Sequence, residues 1–164
     1  GEVRRRVAYI PENVSLYPYL TGLENLDYFC KLGKLSYSRD ELTAMLEKCG
    51  LAPPAHHQKL TTYSKGMRQK VGIAIAYAKK ARVLLLDEPA SGLDPEASNE
   101  LSALLQSLAH DGATVLMASH DLFRVRETAD HIGILHHGRL LQELEAREIS
   151  ANDLESIYLQ FMKN

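Results

Sequence analysis

Cysteine is scarce in this sequence. Cys30 and Cys49 are the only two, and both fall at apolar positions of expected helices. A disulfide framework is therefore excluded as the basis of the fold, and buried, reduced thiols of an intracellular chain are expected. A charge excess is lacking too. The 19 Lys and Arg nearly balance the 21 Asp and Glu for a net charge of -2, so there is no field to draw in a nucleic acid. No apolar run approaches the roughly 20 residues needed to cross a bilayer. The start, Gly1-Glu2-Val3-Arg4-Arg5-Arg6, has no apolar stretch of the kind a secretion signal needs, so a soluble chain is expected, one still able to dock on a membrane protein. Repeats, low-complexity tracts and a clear interdomain linker are all missing. So is an initial methionine: the chain opens at a charged stretch leading straight into Val7-Ala8-Tyr9-Ile10, as expected of a piece of something longer.

What is present is enough apolar material, 45% of 164 residues, for one core. Arg6 to Ile10 is short, β-rich and closed by Pro11, which predicts a strand running into a loop that carries Tyr17 and Tyr19. Arg4-Arg5-Arg6 reads as a solvated entry to that strand. Thr21 with Glu24, and Ser38 with Glu41, are capping boxes. Each opens a helical run, Leu23, Leu26, Phe29 and Cys30 ending near Gly33, and Leu42, Met45, Leu46 and Cys49 ending at Gly50. Pro53-Pro54 and His56-His57 fill a connecting loop. Ser64 then caps a helix with an expected buried stripe of Met67, Val71, Ala74, Ile75 and Ala78. From there short apolar runs alternate with helices, the pattern of a parallel sheet with crossover helices. Val83 to Leu86 is a strand, Asp94-Pro95 opens a helix through Leu108, and Ala113 to Ala118 is the next strand. Ile132 to Leu135 and Leu140-Leu141 flank a hairpin turn at Gly138. A last helix carries Leu154, Ile157, Tyr158 and Phe161. The expected divisions are 1–20, a strand and its loop; 21–62, a helical insertion; 63–146, the α/β core; and 147–164, the terminal helix.

The strongest chemical signal is Val83-Leu84-Leu85-Leu86-Asp87-Glu88-Pro89. A buried parallel strand ending in two acids places them at the sheet's ligand-binding edge. Asp87 is suited to hold Mg²⁺, directly or through water, and Glu88 to polarise a water that attacks a γ-phosphate. Two solvated acids at a strand end is the plainer reading. Ser91-Gly92-Leu93-Asp94 follows at once, and Thr114 to Asp121 a helix later, so that His120 ends a neighbouring strand and can share a phosphate with Glu88. Upstream, Tyr63-Ser64-Lys65-Gly66-Met67 puts a hydroxyl, a glycine and a helix amino terminus together, where outward N–H groups suit a phosphate. A capped core helix is its plainer reading. His56-His57 and His136-His137 have no accompanying acid or cysteine cluster and read as loop and turn residues.

In this order and spacing the motifs resemble the nucleotide-binding domain of ATP-binding cassette (ABC) proteins over essentially the whole chain. Ser64, Lys65, Gly66 and Met67 stand in the family's signature sequence, which meets ATP across a domain pair. Leu84 to Glu88 match its Walker B strand, Ser91 to Asp94 its D-loop and His120 its switch histidine. The resemblance implies an α/β P-loop NTPase (RecA-like) fold with an inserted helical subdomain, incomplete at its amino terminus. It implies ATP and Mg²⁺, catalysis by Glu88 and His120, metal binding by Asp87 and Glu12, and coupling between domains through Asp94. The implied partners are a second such domain, the same or different, and a membrane permease contacted at Tyr17 and Tyr19, for which packing against the first helix is the plainer reading. No nucleic-acid partner is implied, and the implied location is the cytoplasmic face of the cell membrane.

Three departures stand out. The family's usual glutamine is Glu12, either a metal ligand or a solvated loop acid; it adds charge beside phosphates and loses an amide donor. Lys65 replaces the signature's first glycine and Met67 its common glutamine, a variant similar to the subgroup serving exporter-type and ABC-2-type permeases. No Gly-x-x-x-x-Gly-Lys-Ser/Thr loop occurs, so by itself the chain is expected to be an incomplete ATP site. Soluble family members acting on ribosomes or DNA, and a noncatalytic fragment, remain as alternative readings.

Overall fold

A computed structural model describes Val3 and residues 6–162; Arg4 and Arg5 of the expected solvated entry lie outside them. The chain divides into two compact units, residues 1–118 and 119–164.

The first unit is built on a three-stranded parallel sheet in the order β1 (Val7–Ile10), β2 (Val83–Asp87), β3 (Thr114–Ala118). The register sets Tyr9 beside Leu85 and Leu85 beside Leu116. Alternation then sends Ala8, Ile10, Leu84 and Leu86 into the core, while Tyr9 and Leu116 stand exposed on the opposite face. Between β1 and β2 come α1 (Gly22–Leu32), α2 (Arg39–Lys48) and α3 (Lys65–Ala78), and α4 (Pro95–His110) crosses from β2 to β3.

The helix starts are local chemistry. Thr21 accepts from the Glu24 amide while Glu24 accepts from the Thr21 amide, and Ser38 and Glu41 reciprocate likewise. Those amide contacts hold both glutamates below the usual carboxylate range. The expected loop at Pro53-Pro54 is instead a 3-10 turn over Pro53–His57, followed by another at Leu60–Thr62. It is ordered by burial of His56, whose Nε2 lies 2.8 Å from the Leu51 carbonyl, and of Tyr63, whose hydroxyl donates to the Ala55 carbonyl at 2.5 Å.

The stripe expected on α3 is too narrow. Val71, Ala74 and Ala78 are buried, but so are Gly66, Gln69, Gly72, Ile73 and Ala76, whereas Met67 and Ile75 are half-buried. This helix packs against β1, α1, α2 and α4, so it is enclosed on several sides rather than one.

The second unit holds α5 (Leu122–Thr128), the antiparallel hairpin β4 (His131–His136) and β5 (Arg139–Glu145), and α6 (Ala151–Met162). The hairpin turns at His137-Gly138, both with positive φ. Ile132, Ala146, Ile149 and Leu154 form its small core. The seven-residue α5 was not foreseen, since its apolar content is too brief to show a period; Asp121 caps it, accepting from the Arg124 amide at 3.0 Å.

Candidate nucleotide site

At the end of β2 the backbone leaves the sheet abruptly. Asp87 closes the strand and is exposed. Glu88, half-buried, has φ 44, left-handed backbone that a residue with a side chain rarely adopts. The Glu88 amide is held by the Ala118 carbonyl at 2.9 Å, and its carbonyl accepts from the Ser91 amide at 3.1 Å. Pro89 is fully buried behind it. The side chain is thus presented at the sheet edge by a turn the surroundings enforce.

Asp87 has a partner that sequence reasoning missed. The Tyr9 hydroxyl donates to Asp87 Oδ2 at 3.3 Å, across strands and 78 residues apart. Desolvation, then the carboxylate's charge, raises the Tyr9 pKa and keeps the phenol a donor. Among the described residues no group of three His, Cys, Asp or Glu forms a metal cage. One exposed carboxylate suits Mg²⁺, which commonly takes one or two protein carboxylates and fills its octahedron with phosphate and water.

The turn after Glu88 leads into α4, whose N-cap is Asp94, accepting from the Ala97 amide at 2.9 Å. Against it lies the amino end of α3. Ser64 caps that helix through the Met67 amide at 3.2 Å and is itself exposed. Gly66 is buried there: a Cβ at this position would meet Ala97 at 3.5 Å and Leu93 at 3.6 Å. The Ser64–Met67 segment and the Ser91–Asp94 segment are therefore adjacent.

Glu12 is tied to the start of α3. Its carboxylate takes a hydrogen bond from Lys65 Nζ at 3.1 Å, and its carbonyl takes one from Gln69 Nε2 at 3.0 Å. The structure thus joins the loop that carries Glu12 to α3 at Lys65 and Gln69. His120 lies exposed in the second unit, two residues after β3 and just ahead of α5.

Tyr17 and Tyr19 lie in the loop before α1, 46% and 79% exposed. Tyr17 is nonetheless tied down. Fully buried Asn25 accepts from the Tyr17 amide at 2.8 Å and donates to the Tyr17 carbonyl at 3.1 Å. The Tyr17 ring meets the Tyr28 ring edge-on at 4.8 Å and lies 6.1 Å from that of Phe29. The result is an exposed aromatic shelf in which Tyr17 packs against α1; no polar signal around Asn25 marked it in advance.

Known proteins place this geometry. Residues 1–91 match the family described as ABC transporter. An uncharacterized ABC transporter ATP-binding protein of Synechocystis is 40% identical over 93% of this chain and 44% of its own length. The bacitracin transport ATP-binding protein BcrA of Enterococcus faecalis is 37% identical over 88% of this chain and 46% of its own. The chain thus spans about half the length of these curated relatives. A solved dimeric ATP-binding cassette, in a post-hydrolysis state with ADP and Pi, superposes with a TM-score of 0.77 at 27% identity, over 89% of this chain and 66% of that one. With the parallel sheet, the two acids ending β2 and the capped helix beside the following turn, the chain belongs to the ABC transporter family and has its incomplete P-loop NTPase α/β fold.

Proposed function

We propose that this chain supplies a chemistry-bearing part of an ATP-hydrolysing subunit that drives an ABC transporter, of the group serving exporter or ABC-2-type permeases. One observation carries this reading: Glu88 is held in left-handed backbone directly after Asp87, at the edge of a parallel sheet, with the Ser64-capped helix packed against the turn that follows. Bound Mg²⁺ would neutralise phosphate charge, with Asp87 as its protein ligand and the Tyr9 hydroxyl orienting that carboxylate. Glu88 accepts a proton from the attacking water, and its enforced turn limits the positions that water can occupy. For His120 the role of γ-phosphate donor rests on the family resemblance alone. The segment Ser64 to Met67 faces the nucleotide of a second domain, with the Lys65 and Gly66 amides as donors and the Met67 amide holding the Ser64 cap, and Asp94, by capping α4, holds the turn that couples the two sites.

The 164 residues contain no phosphate-cradling glycine loop, so turnover belongs to the longer polypeptide and the chain alone hydrolyses ATP negligibly. The shelf of Tyr17, Tyr19 and Tyr28 is the surface for a permease at the cytoplasmic face of the membrane. No helix among the described residues is long and apolar enough to cross a membrane. Relatives named for bacitracin, glutamine and histidine transport support the transport reading. The reading is tested by measuring Mg²⁺-dependent ATP turnover of the full polypeptide and of the 164-residue chain. Full-rate hydrolysis by the chain alone, or none by the polypeptide, would refute it.

A further inference from the structure

Glu12, in the loop after β1, and Lys65, at the first position of α3, lie 53 residues apart in sequence and touch, with 3.1 Å between Lys65 Nζ and Glu12 Oε1. We propose that they form a matched positioning pair, in which the Lys65 ammonium cancels the charge of an acid held beside the amino end of α3, the helix start assigned above to a nucleotide, and fixes the loop after β1 to that helix. The proposal rests on the nucleotide reading above and deepens it.

With a nucleotide at the amino end of α3, an acid at position 12 has two defects, an extra negative charge beside that helix start and no donor hydrogen. The ammonium of Lys65 remedies both, so the pair together is neutral and carries N–H donors. The contact is also not a stray surface encounter, because the same face of α3 grips the same loop at successive turns. Lys65, Gln69 and Gly72 are spaced i, i+4 and i+7. Gln69, 1% exposed, donates to the Glu12 carbonyl, although its Oε1 stays buried with no protein partner. An amide half-satisfied in the core is unfavourable, and the bond to Glu12 is what its burial secures. At Gly72 a Cβ would come within 3.1 Å of Val14 and 3.7 Å of Ile10, so the glycine lets the loop lie closer than a larger residue would without a small shift.

The other side of the same helix reaches the turn after Glu88. The Lys65 ammonium lies 3.8 Å from where a Cβ on Gly92 would sit, Gly66 abuts Leu93 and Ala97, and Lys70 pairs with Glu100 of α4 at 2.7 Å. Displacing the Glu12 loop therefore strains the start of α3 and, through it, the 91–94 turn. Lys65 acts as the joint between the two loops, a positioning residue whose charge matters as much as its place.

The experiment is a double-mutant cycle in the full polypeptide: K65M, E12Q, E12Q/K65M and K65R, with KM for Mg-ATP and kcat measured at low and high salt, and thermal midpoints on the same samples. Side chains 29% and 43% exposed put the expected coupling at about two- to fivefold. K65M should raise KM by that factor at low salt and less at high salt, with kcat changing less, because the unmasked carboxylate is screened. Adding E12Q should bring KM back to within about twofold of the parent, and K65R should hold it there. A double variant showing the product of the two single effects, or a K65M defect insensitive to salt, would overturn the pairing. Should the parent bind no Mg-ATP, the nucleotide reading fails by itself. The pairing is then judged from the four thermal midpoints, where simple additivity overturns it and non-additivity upholds it.

Discussion

Replacing Glu88 by glutamine, and separately by glycine, divides its chemistry from its backbone. Glutamine keeps the length and volume of the side chain but cannot take a proton from water. Loss of a positioned general base is expected to slow hydrolysis by about 100- to 10,000-fold. At about 1.4 kcal/mol per decade, this is a barrier increase of roughly 2.7 to 5.4 kcal/mol. Glycine would lose the same chemistry and relieve the turn. A non-glycine residue at φ 44 stores roughly 1–2 kcal/mol, while a new glycine adds about 0.5–1 kcal/mol of unfolded-state entropy. The difference predicts that E88G is as stable as the parent or up to about 1.5 kcal/mol more so, a rise in melting temperature of at most about 3–6 °C for a domain this size. Steady-state turnover, ATP-dependent association and thermal unfolding should be followed on the same preparations. Slow turnover with an ATP-stabilised dimer in E88Q, beside an unimpaired melt in E88G, is the expected pair of results. Near-normal turnover of E88Q would remove Glu88 from catalysis, loss of ATP binding would make it a metal or structural residue, and an E88G variant destabilised by about 2 kcal/mol would refute the strain argument.

Gly22→Ala should destabilise by about 1–3 kcal/mol in urea, because its Cβ would sit 2.3 Å from the Tyr63 hydroxyl, which is anchored on Ala55. Tyr63→Phe, itself costing about 1 kcal/mol, should recover part of that loss; strict additivity would contradict the clash. Burial pushes the Cys30 thiol up to about 11, helped by Asp27, and Cys49 to about 12 against the opposing charge of Lys48. Alkylation at pH 8 should therefore be slow and accelerate with denaturant, and rapid labelling of both in the folded chain would contradict that. Replacing Tyr17 and Tyr19 together by Ser should weaken permease assembly or coupling in the complete transporter with ATP affinity nearly unchanged. A sharp fall in ATP affinity with intact assembly would reassign the shelf.

The sequence by itself determined whatever depends on neighbours along the chain. Both capping boxes, the Asp94-Pro95 helix start, the strand ending at Asp87-Glu88 and the turn at Gly138 are set by residues within about four positions of one another, and all form as read. The order of those motifs was enough to identify the family. The sequence also marked Glu12 and Lys65 as unusual, but as two separate departures.

Tertiary structure alone decided which distant groups meet. Pairing of β1 with β2 brings the Tyr9 hydroxyl to Asp87, and packing of α3 on the loop after β1 brings Lys65 to Glu12. Neither contact leaves a trace in local spacing, because 78 and 53 residues separate the partners. The burial of α3 on several sides was hidden for a related reason. A period of 3.6 reports one apolar face, whereas enclosure by a strand and three helices admits Gln69 wherever the loop above supplies a carbonyl for its amide. Local hydrogen bonds close within a turn and can be read along the chain, but contacts between elements exist only once the sheet register and helix packing have placed them.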